Sequence, residues 1–277
     1  GLSFNYPNYI FKKHNYNKKR TFKSYIKKNL LNFLKLYLSD NFSAKKYFYD
    51  NWNSNETTEF PLVDVIAEFG NYDDYIIYNA AWFYNEIKYL LKINKKQIKN
   101  YNRCIEIGPG VGNLIRIMFA KNFISHATII DLPTSIPFSF CNLINRFPEI
   151  NYKLPNEIEK DIKFENEKII FLTNEQLNYV PENFYSLGIN TMSFGEMDKN
   201  TINNYFVFLR NVLNFNNLFY CVNRVEKDMK INNQKQTIKF FEYPWEVSDE
   251  DIFYRLTFLE KFRTFNPMYL RFTKLSK

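Results

Sequence analysis

The run Cys104-Ile105-Glu106-Ile107-Gly108-Pro109-Gly110-Val111-Gly112-Asn113 decides how this 277-residue chain folds. An apolar, strand-like segment ends in a loop holding three of the chain's seven glycines, and a segment of helical period begins at Asn113. Glycine lets the backbone turn through positive φ and lets a ligand approach the main chain with no Cβ in the way. The helix beyond offers N–H groups without intrahelical partners. Downstream, short apolar runs alternate with helical ones: Arg103–Ile107, a helix from Asn113, Thr128–Ile130, a helix from Ser135, Lys168–Leu172, Tyr185–Asn190, a helix over Asn200–Leu213, and Leu218–Asn223. Alternation of this kind predicts parallel strands joined by crossover helices. Two more β-prone stretches, near Ile252–Phe262 and Met268–Leu275, flank the turn signal Phe265-Asn266-Pro267 and fit an antiparallel pair at the sheet edge.

Upstream of the loop the texture differs. Residues 1–20 are polar, basic and aromatic without a period. Phe22, Tyr25, Ile26, Leu30, Phe33, Leu34, Tyr37 and Leu38 have helical spacing with lysines opposite. Asp40–Glu59 reads as loop or short helix. Pro61–Phe69 opens with a first-turn proline and stops at Gly70. Asn71–Ile93 is again helical in period. The expected organisation is a helical N-terminal region over 1–95, providing lid, substrate or dimer contacts, and an α/β domain over 96–277.

Composition sets further bounds. With 45% hydrophobic and 24% charged residues, a sizeable core forms and wholesale disorder is excluded. The 19% aromatic content travels with many Asn, Lys and Ile, a coding bias rather than a binding signature. Of 37 basic residues, nine precede Asp40 with no acidic one among them, leaving 28 basic against 29 acidic beyond. The N-terminal segment thus carries the whole net charge of +8. Such a segment attracts an anion (a nucleotide-sugar, a phosphorylated glycan, nucleic acid or an acidic membrane surface) or simply solvates a helix face. No run of 18 apolar residues and no signal-peptide pattern is present, so neither a membrane span nor export is expected. Cys104, Cys141 and Cys221 lack metal-ligand spacing and suit a reducing, cytoplasmic compartment. His14 and His126 are the only histidines, which excludes a His-rich metal centre and constrains any acid–base mechanism.

Glu106 discriminates between ligands for the loop. A dinucleotide fingerprint is G-x-G-x-x-G, and here the third glycine comes one residue early, with Asn at 113. A carboxylate at the strand end also repels a pyrophosphate lying on the loop. It suits a ligand with positive charge, and S-adenosylmethionine carries an ammonium and a sulfonium but no phosphate. Asp131, in Thr128-Ile129-Ile130-Asp131-Leu132-Pro133, ends the next strand, where a carboxylate accepts both ribose hydroxyls. Phe171-Leu172-Thr173-Asn174-Glu175 ends the following apolar run, near where an adenine edge would lie.

The E-x-G-x-G-x-G loop, the acid after the second strand and the helix–strand order resemble class I S-adenosylmethionine-dependent methyltransferases. Asp131-Leu132-Pro133 resembles their small-molecule O-methyltransferases. Ile189-Asn190-Thr191-Met192-Ser193-Phe194-Gly195-Glu196-Met197 and Phe219-Tyr220-Cys221-Val222-Asn223-Arg224 resemble the bacterial sugar O-methyltransferase family. The resemblance covers roughly residues 96–277. It implies a Rossmann-like seven-stranded methyltransferase sheet, mostly parallel with an antiparallel C-terminal strand, preceded by a helical N-terminal region. It implies that the cofactor S-adenosyl-L-methionine, with S-adenosyl-L-homocysteine as product, lies across the strand ends. Glu106, Gly108 and Gly110 would hold its methionine part, Asp131 its ribose, and Thr173 and Asn174 its adenine, with Leu132 a further cofactor contact. Asn190, Met192 and Ser193 would pass beneath the sulfonium. Asn223 and Arg224 would face a sugar, nucleotide-sugar or glycan-linked substrate of surface polysaccharide biosynthesis.

Many O-methyltransferases place a histidine after the fourth strand, and this chain departs from that pattern. Glu196 and Asp198 are the catalytic candidates there. Gly195 frees the backbone to aim Glu196, and each carboxylate also has a helix N-terminal reading, Asp198 as cap and Glu196 toward the dipole. A divalent cation held by the two is a further option that the spacing does not demand. Arg224 either grips a substrate anion or forms a surface ion pair. Trp245 either stacks on a sugar or packs in the core. Thr173 and Asn174 are ligands or plain loop residues. Competing functions are a small-molecule N-methyltransferase, a non-catalytic cofactor-binding module, and a nucleic-acid methyltransferase using the basic N-terminus. The last lacks the expected Asn/Asp-Pro-Pro-aromatic run, having Asn190-Thr191-Met192-Ser193 instead.

Overall fold

The structure is a computed structural model that describes residues 74–94, 101–159, 162–231, 234–257 and 268–277. The helices expected over Phe22–Leu38 and Pro61–Phe69, the stretch Asp40–Glu59 and the turn at Phe265–Pro267 lie outside these residues. The chain divides into two compact units, residues 1–85 and 86–277. Helix α1 covers Asp74–Ile93, and in its second-unit portion Ile87, Leu90 and Leu91 are buried at the i, i+3, i+4 spacing of one helix face.

From residue 101 onward, strands and helices alternate. β1 (Arg103–Ile107) leads through the glycine loop into α2 (Asn113–Ala120), and β2 (His126–Ile130) into α3 (Ile136–Arg146). β3 (Tyr152–Lys153), β4 (Ile169–Leu172) and β5 (Tyr185–Thr191) follow. Then come α4 (Lys199–Val212), β6 (Leu213–Arg224), β7 (Glu226–Ile231), β8 (Gln234–Lys239), β9 (Glu250–Thr257) and β10 (Met268–Lys274). The main sheet has the order β3-β4-β2-β1-β5-β6-β10-β9, while β7 and β8 form a separate antiparallel hairpin. β3 through β6 pair in parallel, and β10 pairs antiparallel with both β6 and β9.

The seven-strand expectation is therefore corrected: among the described residues the main sheet has eight strands. Each of the seven expected segments contributes a strand, the part of Ile252–Phe262 beyond Thr257 lying outside the described residues. The eighth, β3, is a two-residue edge strand beside β4, too short to carry a period. The β7–β8 hairpin was also not anticipated: Glu226–Ile231 and Gln234–Lys239 are largely polar and present no apolar alternation. The parallel strands read as apolar runs because helices cover them, and all four residues of β4 are buried.

Phe206 of α4 packs ring against ring with Phe194, Phe219, Tyr243 and Trp245, and Phe240 with Tyr243 and Trp245, so part of the aromatic excess becomes core. Elsewhere in the sheet, buried Glu86 of α1 accepts a 2.5 Å hydrogen bond from the Tyr220 hydroxyl and pairs with Arg255 of β9. A charge removed from water in this way needs such partners.

Strand order sets the location of the site. The chain steps from β1 to β2 to β4 on one side, then returns to place β5 on the other side of β1. The carboxyl ends of β1 and β5 thus flank a topological switch point, where open α/β sheets bind ligands.

Candidate functional site

Glu106, Gly108, Asp131, Asn190 and Ser193 converge at this switch point. Gly108, Gly110 and Gly112 have φ of 66°, 60° and 72°, in the left-handed region. A Cβ on Gly108 would fall 2.3 Å from the Ser193 hydroxyl, so the β1 turn needs glycine to pass under the β5 turn. A Cβ on Gly110 would meet nothing within 4 Å. That loop face is open to a ligand. The Gly112 Cβ position is instead crowded by Ser139 of α3 at 3.1 Å.

Glu106 is 1% exposed, and its Oε2 has no hydrogen-bond partner. Burial, and then the neighbouring charge of Asp131, push its carboxyl up to about 8, while a hydrogen bond with Thr191 works the other way. Asp131 Oδ1 accepts the Leu132 N–H at 2.8 Å, and Oδ2 accepts the Gly110 N–H at 3.3 Å. Its carboxyl is also raised by burial, against the hydrogen bonds of Leu132, Gly110 and Ser135. Leu132, 57% exposed, leaves an apolar surface beside these acids. An acid with an unpaired buried oxygen, a second acid nearby and an open glycine turn form a pocket wall suited to a cationic, hydroxyl-bearing ligand.

The other residues singled out in the sequence divide by their hydrogen bonds. Asn190 is fully buried. Its Nδ2 donates to Ile107 O at 2.9 Å and Ser193 Oγ at 2.6 Å, and its Oδ1 accepts from Asn223 at 2.7 Å. Asn223 Oδ1 accepts the Gly195 N–H at 3.2 Å. Asn223, expected to face substrate, is wholly buried, and its amide ties β6 to the β5 turn. Met192 sits at φ 66°, an uncommon conformation for a non-glycine residue, and donates its N–H to Val222 O at 2.7 Å. Thr173 is held by Gln176 in a capping box, and Asn174 beside it is exposed.

Asp198 caps α4. Its Oδ1 accepts the Thr201 N–H at 2.9 Å and its Oδ2 the Thr201 hydroxyl at 2.7 Å. Those bonds hold the carboxyl of this catalytic candidate below the usual range and engage both its oxygens in the cap. Glu196 is exposed and pairs with Lys227 of the β7–β8 hairpin. Trp245 donates to Phe240 O at 3.1 Å and carries the Arg271 guanidinium 4.2 Å from its ring centroid. It packs within the aromatic cluster, against Phe206 and Phe240. Arg224 is partly buried at the end of β6. His126 opens β2 at the opposite end of the sheet, bonded to Ser125 and the Glu165 carbonyl.

Sequence reasoning took Thr191 only as part of the stretch from Asn190 to Ser193, and missed Ser135, Lys227 and Asn142. Ser135 stands at the start of α3 and carries a hydroxyl. Lys227 and Asn142 reach the site from separate elements and give no local signal. Among the described residues, no group of three His, Cys, Asp or Glu side chains is placed to hold a metal ion, and no helix is long and apolar enough to cross a membrane.

No protein-family model matches this chain, and no curated protein matches it in sequence. Among solved structures it is similar to the glycopeptide N-methyltransferase MtfA, at 11% identity over 70% of this chain and 90% of that one, with a TM-score of 0.44. It is similar to a SAM-dependent methyltransferase of Leishmania major at 9% identity over 84% and 91%, with a TM-score of 0.48. An S-adenosylmethionine-dependent methyltransferase from Clostridium acetobutylicum is similar at 9% identity over 79% and 98%, with a TM-score of 0.45.

Proposed function

We propose that this chain is an S-adenosylmethionine-dependent methyltransferase whose acceptor is a hydroxyl of a sugar or sugar-containing metabolite. The observation that carries the cofactor is Glu106: a carboxyl buried beside Asp131, one oxygen unpaired, on a glycine turn open at Gly110. Glu106, when ionised at the strand end, opposes the pyrophosphate of a redox dinucleotide, whereas Asp131 suits the ribose of either ligand. The two acids fit an ammonium at Glu106 and a ribose diol at Asp131. Leu132 supplies apolar surface for the base. When bound, S-adenosylmethionine supplies a methyl group already activated by its sulfonium.

The chain's own residues orient the partners and handle the proton. Holding two reactants in line replaces a bimolecular encounter and contributes roughly 7–11 kcal/mol in well-oriented systems. The acceptor hydroxyl loses a proton, and Glu196 is the carboxylate assigned to accept it, oriented by Lys227. A base so placed adds about 10²–10⁴-fold. The sugar assignment rests on the segments 189–197 and 219–224. One observation favours a second reading, an amine acceptor: Glu196 is already paired with Lys227 and Asp198 with Thr201, and a neutral amine attacks through its lone pair before shedding a proton.

Calorimetry with S-adenosylhomocysteine and with NAD tests the cofactor. Binding of the first and not the second is expected; the reverse ends the proposal. Transfer of labelled methyl to nucleotide-sugar, glycan and amine panels then separates the acceptors.

A further inference from the structure

The glycine loop is open in front at Gly110 and held from behind by side chains of α3. Asn142 lies on the face of α3 that also carries Ser139 and Leu143, all three buried. Its Nδ2 donates to Val111 O at 2.7 Å and to Asn113 Oδ1 at 2.9 Å. Val111 stands between the second and third glycines, and Asn113 is the first residue of α2. Both amide protons of Asn142 are therefore spent on the loop, while its Oδ1 is buried with no hydrogen-bond partner. An apolar residue would complete the Ser139–Leu143 stripe without stranding that oxygen. The position retains a polar group at a desolvation penalty, and the two donated bonds are what it obtains.

Backbone bonds hold the Gly108 N–H on Ile130 O at 2.8 Å and the Gly112 N–H on Pro109 O at 3.1 Å, and Asn142 is the side chain that holds the Val111 carbonyl. Gly112 is the N-cap of α2 in a left-handed conformation and offers no side-chain cap. Three glycines within five residues leave the backbone free to adopt many conformations unless held from outside. Ser139 and Leu143 restrict Gly112 sterically, at 3.1 and 3.4 Å from its Cβ position, and Asn142 supplies the directional part.

We infer that Asn142 is a positioning residue for the cofactor, fixing the glycine loop in the geometry that receives the amino-acid end of the ligand. The inference rests on the cofactor reading given above. It makes a prediction that a general packing role does not. The adenosine end meets Asp131 and Leu132, which touch the loop through the 3.3 Å bond from the Gly110 N–H and not through the Val111 and Asn113 groups that Asn142 holds. A variant at 142 should thus penalise a ligand with the amino-acid end and spare one without it.

The test compares the full chain with Asn142→Leu and Asn142→Asp, using S-adenosylhomocysteine and 5′-methylthioadenosine as calorimetric probes. Both variants should weaken S-adenosylhomocysteine roughly tenfold or more, the scale of one net buried hydrogen bond, and change methylthioadenosine by less than about threefold. Asn113→Ala, which removes one acceptor only, should give a smaller loss in the same direction and serves if the 142 variants fold poorly. Equal weakening of both probes, or no weakening, overturns the inference. Amide hydrogen exchange of the ligand-free protein gives an answer independent of the cofactor. Exchange at Gly110–Asn113 should quicken in the variants while the middle of α3 stays protected, and an unchanged loop overturns the inference. If the unaltered chain binds neither probe while the loop responds as stated, it is the cofactor reading that fails.

Discussion

Glu106 holds its carboxyl where no water reaches and leaves one oxygen without a partner, so its charge depends on what binds beside it. Its folded value of about 8 stands above the ordinary 4.5, which fixes the sign of the linkage. Between those values the ligand-free native state holds a proton that the unfolded chain has lost. Stability should therefore fall as pH rises across that window, by at most roughly 1.4 kcal/mol per pH unit, and level off above about 8. Glu106→Gln should flatten this slope in denaturant titrations run at several pH values; an unaltered slope would assign the proton elsewhere. Affinity for S-adenosylhomocysteine should move the opposite way, rising toward pH 8, with proton release detectable by calorimetry in buffers of different ionisation enthalpy. At Glu196 the expectation is kinetic. Glu196→Gln should lower turnover on the identified acceptor by roughly 10²-fold or more if it accepts the proton. Affinity for S-adenosylhomocysteine should stay unchanged, and a full rate would leave Glu196 only its pairing with Lys227.

At the scale of elements, α4 shows how a local signal survives folding. Asp198 stands directly before the helix and three residues before Thr201, a spacing legible as a cap, and both its oxygens are used there. Asp198→Ala should cost about 1 kcal/mol of stability, measured by denaturation at neutral pH, with cofactor affinity unchanged. Its carboxyl lies below the ordinary range, so the stabilisation is present at neutral pH and lost only as pH falls through the depressed value. The glycine turn was legible for a similar reason, since three positive φ values leave a mark in residue type. Asn190 and Asn223 left no such mark. Their amides meet only because β5 and β6 pair in the register Asn190↔Cys221, which neither segment encodes alone. The β7–β8 hairpin was invisible because its polar strands carry no alternation, and β3 because two residues cannot show one.

At the scale of the whole molecule, charge and fold are distributed differently. The residues that build the sheet end lie beyond position 100, whereas the net charge of +8 originates before Asp40. Such an arrangement acts on association more than on the fold, because a basic segment raises the local concentration of anions over a Debye length of about 10 Å at 0.1 M salt. An acceptor carrying a phosphate or diphosphate would feel that field, and a neutral glycan would not. Deleting residues 1–20 removes Lys12, Lys13, Lys18, Lys19 and Arg20 and no acidic residue. For a nucleotide-sugar acceptor, KM should then rise severalfold at low ionic strength, while kcat and S-adenosylhomocysteine affinity stay level. Added salt should raise the KM of the full chain toward that of the truncated one, since screening and deletion remove the same attraction. Steady-state kinetics at two salt concentrations decides the matter: a KM indifferent to both changes would leave the basic segment no part in recruiting substrate.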